Sequence, residues 1–239
     1  DTLQFSRFVI DLLKFTDQIT FVVNAKLSQI LSSLNKNVLV TSYENLVSEN
    51  FDYQLPLCSL PKYLNIDSTD KINFFTLNKK NKYENNIFLD DKKFNIGVAW
   101  SGNKEYFLDT YRSIPFRYFE NILKLKNINF FKLSKDVRDE DKSKYTSYPN
   151  LIDLGNRSLL EVSEYIKNLD LVISSDTSII HLAGILNKKS ILLLNYNSDW
   201  RWFDNINNTI WYPSVQIIKQ SKFDSWDEVF MKLEKKLKN

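Results

Sequence analysis

The chain has 239 residues, of which 43% are apolar and 26% charged, with a net charge of +3. This is the composition of an ordinary soluble globular protein of one or two domains. No apolar stretch approaches the ~20 residues of a membrane span, and the small positive balance demands no nucleic acid while suiting an anionic ligand.

A single cysteine, Cys58, permits no internal disulfide, fits a reducing compartment and reads as a small core residue. The chain opens on Asp1 rather than methionine and without a signal peptide, as a fragment of something longer would.

In chain order, Leu3, Phe5, Phe8, Val9, Leu12 and Leu13 recur at helical spacing and put Asp1 and Thr2 at a helix N-terminus. Residues 19–23 predict a strand, 26–34 a helix and 38–41 a strand, a βαβ rhythm that implies a parallel sheet. Residues 53–57 read as a strand, with Pro56 and Pro61 bracketing a loop around Cys58. The polar run over 78–93 reads as the connection between two lobes, 1–90 and 91–239.

Residues 94–100 (FNIGVAW) restart as a strand and end in Ser101, Gly102 and Asn103. A polar loop then carries Glu105, Asp109 and Arg112, and Pro115 opens a helix with Phe119, Ile122 and Leu123 on its face. Residues 128–133 predict a strand. Asp139, Glu140 and Asp141 spell D-x-D but sit in a charged run, which reads as a solvated loop. Ser158 with Glu161, and Ser225 with Glu228, have capping-box spacing ahead of helical patterns.

The informative stretch is LDLVISSDTSIIHLAGILNKKSILLL, residues 169–194. Leu171, Val172 and Ile173 form an unalternating apolar run, as in a strand buried on both faces. Ser174, Ser175, Asp176, Thr177 and Ser178 follow, then Ile179, Ile180, Leu182, Ala183 and Leu186 at helical spacing, so a strand passes into a helix through a hydroxyl-rich turn. In an open α/β sheet such a turn lies at the ligand crevice, where free N–H groups and the helix dipole favour a phosphate. The alternative is that Asp176 or Ser175 is only an N-cap. Residues 190–194 predict the next strand, followed by the aromatic loop NYNSDWRWF with Trp200, Arg201 and Trp202 at the strand end. The fold class expected is α/β, two doubly wound lobes facing across a cleft.

The segments GVAWSGN, YRSIP, LDLVISSDTSIIHLAG and SDWRWF, in this order, resemble the glycosyltransferase-like domain found behind tetratricopeptide repeats in many bacterial proteins. The chain looks like a relative of the lipopolysaccharide heptosyltransferases of glycosyltransferase family 9, and more distantly of the protein O-GlcNAc transferases. DTLQFSRFV and PLCSLP extend the likeness over essentially the whole chain.

The resemblance implies a GT-B fold of two Rossmann-like lobes, the first truncated at its start. It also implies inverting, metal-independent transfer from a nucleotide diphosphate-sugar to a glycan, lipid or protein acceptor, with no cofactor. The setting implied is the bacterial cytoplasm, or the periphery of the inner membrane, with the repeats upstream. Asp176, Thr177 and Ser178 would meet the donor's diphosphate, although heptosyltransferases usually have glycine where Ser178 stands. Arg112 takes the position of a basic residue near the phosphates, and a guanidinium grips phosphate with two hydrogen bonds. Asp1 aligns with the catalytic aspartate, Asp109 and Glu105 being the fallbacks. Gly102, Asn103 and His181 complete the donor set; His181 reads equally as a packing residue, and Gly97 and Gly102 as turn formers. A metal is not expected. The alternative function is a non-catalytic module that binds a nucleotide sugar or another protein.

Overall fold

A computed structural model describes residues 1–32, 34–47, 50–66, 92–203 and 207–238. Helix α1 (Thr2–Phe5) continues as a 3-10 helix over Ser6–Lys14. At the change, the Ser6 hydroxyl donates to the Leu3 carbonyl at 2.9 Å, competing for an acceptor of the α ladder. Strand β1 (Ile19–Val23), helix α2 (Ala25–Leu31) and strand β2 (Val38–Ser42) form one parallel βαβ unit, with Ile19 opposite Val38.

The strand expected over 53–57 is absent. Tyr53 is 91% exposed, so nothing pays for ordering it, and Pro56 instead caps a 3-10 turn at Leu57–Ser59 ahead of α3 (Leu60–Tyr63). Cys58 on that turn is exposed, not a core residue. Most of the expected connection over 78–93 lies outside the described residues.

The remainder builds a six-stranded sheet from β3 (Phe94–Ala99), β4 (Ile128–Lys132), β5 (Leu151–Asp153), β6 (Leu171–Ser174), β7 (Ser190–Leu194) and β8 (Val215–Lys219). All pairs are parallel, in the order β5-β4-β3-β6-β7-β8. The strand order reverses between β3 and β6, so the crevice of a doubly wound sheet opens at the carboxyl ends of those two strands.

Alternation along each strand gives the sheet two apolar faces. Val172, Leu192 and Leu194 share one core with Phe5, Phe8, Ile30, Ile180 and Leu182, which ties the N-terminal unit to this face. Leu171, Ile173, Ile191 and Leu193 share the other with Trp100, Phe116, Phe119 and Phe230.

The connecting helices are α4 (Asp109–Arg112), α5 (Asp139–Tyr145), α6 (Leu159–Asn168) and α7 (Ser178–Ile185), with α8 (Asp227–Lys238) closing the chain. The Ser158–Glu161 capping box forms in both directions. The Ser225–Glu228 pair does not: Glu228 is taken by Ser221 and Lys232. The helix expected after Pro115 is two 3-10 turns, Phe116–Tyr118 and Ile122–Lys124. The D-x-D run is the first turn of α5 rather than a loop, and Asp141 is buried. Trp200–Trp202 forms a 3-10 turn, not a strand end.

Candidate donor site at the strand crossover

The site begins where β3 and β6 run side by side, Ala99 opposite Ser174. After β6 the chain turns through Ser175, Asp176 and Thr177 into α7. The helix cap is Thr177, not Asp176 or Ser175: its hydroxyl accepts the Ile179 N–H at 3.3 Å. With the cap supplied by its neighbour, the Asp176 carboxylate has other partners. The N–H groups of the first turn of α7 have no acceptors within the helix, and their positive end faces the crevice. Ser178 is exposed there.

After β3, Gly102 donates its N–H to the Ser113 hydroxyl at 3.1 Å, and that hydroxyl donates to Asp109 at 2.8 Å. Arg112 is fixed from three sides. Its Nε meets Asp109 at 3.0 Å, its Nη1 donates to the Asp176 carbonyl at 3.1 Å, and its guanidinium lies 4.5 Å over the Tyr106 ring. The bond to Asp176 crosses from the β3 loop to the β6 turn. Arg138, which sequence reasoning missed, also reaches Asp109, at 3.7 Å.

Gly102 therefore allows a close approach, but by a protein side chain. A Cβ at residue 102 would stand 2.5 Å from Arg112 Nη2 and 2.7 Å from Asp109 Oδ1. The guanidinium tip can swing away but the buried Asp109 carboxylate, held by Ser113, cannot, so Gly102→Ala is expected to lower stability by about 1–3 kcal/mol. Displacing one charge-assisted contact should weaken nucleotide binding about tenfold. Paired thermal unfolding and calorimetric titration measure the two effects. Asn103 uses its side-chain oxygen on its own turn, accepting Glu105 N–H at 3.0 Å. Gly97 is remote from the crevice chemistry, since its missing Cβ makes room for Leu133 and Leu169.

Asp176 and His181 are both buried, with Oδ1 and Nε2 3.6 Å apart. Burial pushes the Asp176 carboxyl up, but His181, Trp202 and Arg201 together outweigh it and hold it below its usual range. Burial pushes His181 down, opposed by Asp176. The contact is accordingly a neutral imidazole facing a carboxylate. His181 also stacks on Trp202, centroids 5.3 Å apart, and its Nδ1 lies 2.9 Å from the Tyr212 hydroxyl.

A histidine neutral when folded but protonated when unfolded below about pH 6.5 adds stability that is present above that pH and lost as the pH falls through it. Asp176 acts in the same direction at lower pH, because its folded carboxyl is the harder to protonate. Chemical unfolding between pH 7 and 5 should show wild type losing up to about 1.4 kcal/mol per unit relative to His181→Gln. Parallel pH slopes for the two proteins would contradict this.

Asp1 precedes α1 without capping it; its half-exposed carboxylate pairs with Arg201. Arg201 in turn contacts Asp199 at 3.3 Å and favours the Asp176 anion. The first helix packs on this region through Phe5 and Phe8 against Trp211, at 5.6 and 6.4 Å. Asp1, through Arg201, and Arg112, through the Asp176 carbonyl, thus both reach the segment that carries Asp176, Thr177, Ser178 and His181. Of the fallbacks, Asp109 is spent on Arg112 and Ser113, and Glu105 is exposed in the loop. Among the described residues no group of three or more His, Cys, Asp or Glu side chains could hold a metal.

The fold has solved counterparts. The E. coli heptosyltransferase WaaC with ADP-2-deoxy-2-fluoro heptose superposes with a TM-score of 0.63 at 10% identity, covering 100% of this chain and 96% of that one. The fold is that of the heptosyltransferases. WaaC with ADP gives a TM-score of 0.62 at 12% identity, over 98% of this chain and 95% of that one. E. coli ADP-heptose lps heptosyltransferase II gives 0.62 at 9% identity, over 99% and 93%. No protein-family model matches the chain, and no curated protein matches it by sequence. Among the described residues no helix is long and apolar enough to cross a membrane.

Proposed function

We propose that this heptosyltransferase-like fold is a working glycosyltransferase that moves a sugar from a nucleoside diphosphate donor to an acceptor hydroxyl with inversion and without a metal. One observation carries the reading: Arg112 donates to the Asp176 carbonyl across the β3–β6 crossover, so a guanidinium and a helix N-terminus converge on one point. A full positive charge and the partial charge of the helix end there suit the diphosphate that departs with the bond's electron pair. The WaaC structures hold ADP or an ADP-sugar analogue, which supports the same donor class here.

The roles divide by charge. Arg112 and the first-turn amides of α7 meet the phosphates, with the exposed Ser178 hydroxyl beside them. Asp176 is an anion and so is unsuited to touching phosphate oxygens; it accepts hydrogen bonds from hydroxyl groups of the donor instead. Asp1 takes the acceptor's proton as the oxygen attacks the anomeric carbon. Before it can do so, Arg201 must release it. Gly102 keeps Arg112 in place, and His181 orients Asp176.

The acceptor, a glycan, lipid or protein, enters from the side of residues 1–90, and the donor rests on residues 91–239. The setting is the bacterial cytoplasm or inner-membrane surface, with tetratricopeptide repeats in the same protein and family 9 ancestry. The Asp1–Arg201 pair favours a second reading, a module that binds nucleotide sugar without turning it over.

A thermal-shift panel of nucleoside diphosphates and their sugars tests binding. Ligand at ~100 times its dissociation constant should add about 2.7 kcal/mol. Donor hydrolysis or transfer, undiminished by chelator, separates an enzyme from a sensing module. No shift with any nucleotide would overturn both.

A further inference from the structure

Tyr212 is wholly buried behind the proposed donor site and touches the only histidine in the chain. Three contacts hold it. Its ring lies against the backbone of Gly184 in α7, so closely that a Cβ there would come within 2.5 Å of the ring carbons. The Arg7 guanidinium lies over its ring, 4.7 Å from the centroid, anchored by Nη1 to the Trp211 carbonyl at 2.7 Å. Its hydroxyl lies 2.9 Å from His181 Nδ1.

We propose that Tyr212 is a positioning residue: its hydroxyl donates to His181 Nδ1, places the imidazole proton on Nε2, and thereby steadies the Asp176 carboxylate for the donor. This deepens the donor-site reading above and rests on it for its functional half.

The direction of the Tyr212 bond follows from what faces the imidazole. On the Nε2 side is Asp176, an anion. A lone pair on Nε2 would repel that carboxylate, whereas an N–H there attracts it, so the favoured tautomer leaves Nδ1 as acceptor. The group opposite Nδ1 must then be a donor, and a phenol qualifies. Burial pushes the Tyr212 hydroxyl up, against the pull of Arg7 and Arg201, so it keeps its proton at neutral pH. Trp202, stacked at 15° to the imidazole, stops the ring from turning. Arg7, Tyr212, His181 and Asp176 form a line running from the first helix to the crossover turn. Gly184 is the cost of fitting an aromatic ring against α7 at the level of His181.

Because His181 has no other histidine to overlap it, nitrogen-15 NMR of the imidazole reads the tautomer directly in the wild-type protein, with no ligand. The expected result is a proton on Nε2 from pH 6 to 8; a proton on Nδ1, or a mixture, overturns the proposal. In Tyr212→Phe, which keeps the ring and removes the hydroxyl, the tautomer should become mixed. The same variant should bind ADP, GDP, UDP or CDP, whichever stabilises the wild type, about tenfold more weakly. Unchanged imidazole signals, or unchanged affinity beside altered signals, contradict the positioning role. If Tyr212→Phe does not fold, the wild-type spectrum still decides the tautomer. If no nucleotide binds the wild type while Nε2 carries the proton, the donor-site reading fails and the hydrogen-bond assignment stands.

Discussion

Arg112→Ala is expected to weaken nucleoside diphosphate binding by about 10- to 100-fold, the effect of removing a charge-assisted contact of ~1.5–3 kcal/mol. The guanidinium is already placed in the free protein by Asp109, Tyr106 and the Asp176 carbonyl. Little ordering entropy therefore remains to be spent when phosphate arrives. Arg112→Lys should recover part of the loss, since an ammonium supplies the charge without the fork. Removing Arg112 also leaves the buried Asp109 carboxylate with Arg138 at 3.7 Å as its nearer remaining cation, at a stability cost of about 1–3 kcal/mol. Calorimetric titration of wild type, Arg112→Ala and Arg112→Lys checks the series. Equal affinity across the three would remove the phosphate assignment, and with it the proposed function.

Asp1→Asn should behave in the opposite way, lowering kcat by about 10²–10⁴-fold, the usual worth of a general base, with nucleotide affinity almost unchanged. Asparagine keeps the shape but cannot hold the acceptor's proton. The ion pair with Arg201 is lost too, but at a half-exposed carboxylate this costs about 0–1 kcal/mol. Steady-state kinetics in the intact protein, with saturating donor, separate the two substitutions: Arg112 acts on donor affinity and Asp1 on turnover. Full activity of Asp1→Asn would transfer the base role elsewhere, and undetectable turnover in the wild type beside tight nucleotide binding would favour the sensing module.

Much of the six-stranded sheet and its helices is legible along the chain. Strand β7 and the Ser158–Glu161 cap fall where their patterns put them, because a buried strand and a capped helix are encoded by residues a few positions apart. The passage from β6 into α7 is legible for the same reason. Strands β5 and β8 are not. Leu151–Asp153 is three residues long with two of them exposed, and Lys132 on the neighbouring strand pairs with Asp153 at 2.9 Å. Val215–Lys219 pairs with β7 and is buried by the cores on both faces of the sheet, contacts made with residues distant in the chain. The charged letters of Asp139–Asp141 conceal a helix for a similar reason, since Asp141 is buried by tertiary packing.

What the amino-acid order determined by itself is the alternation of buried strands and helices, and the hydroxyl-rich turn that leads from β6 into α7. These are short-range properties, set by periodicity and by caps. Tertiary structure alone decided that Arg112 reaches the turn 64 residues further on, that Thr177 rather than Asp176 caps α7, and that Asp176 turns to a histidine backed by Tyr212. Those contacts join groups that become neighbours only once the parallel strands have closed, and each is selected by the burial that the closed sheet imposes.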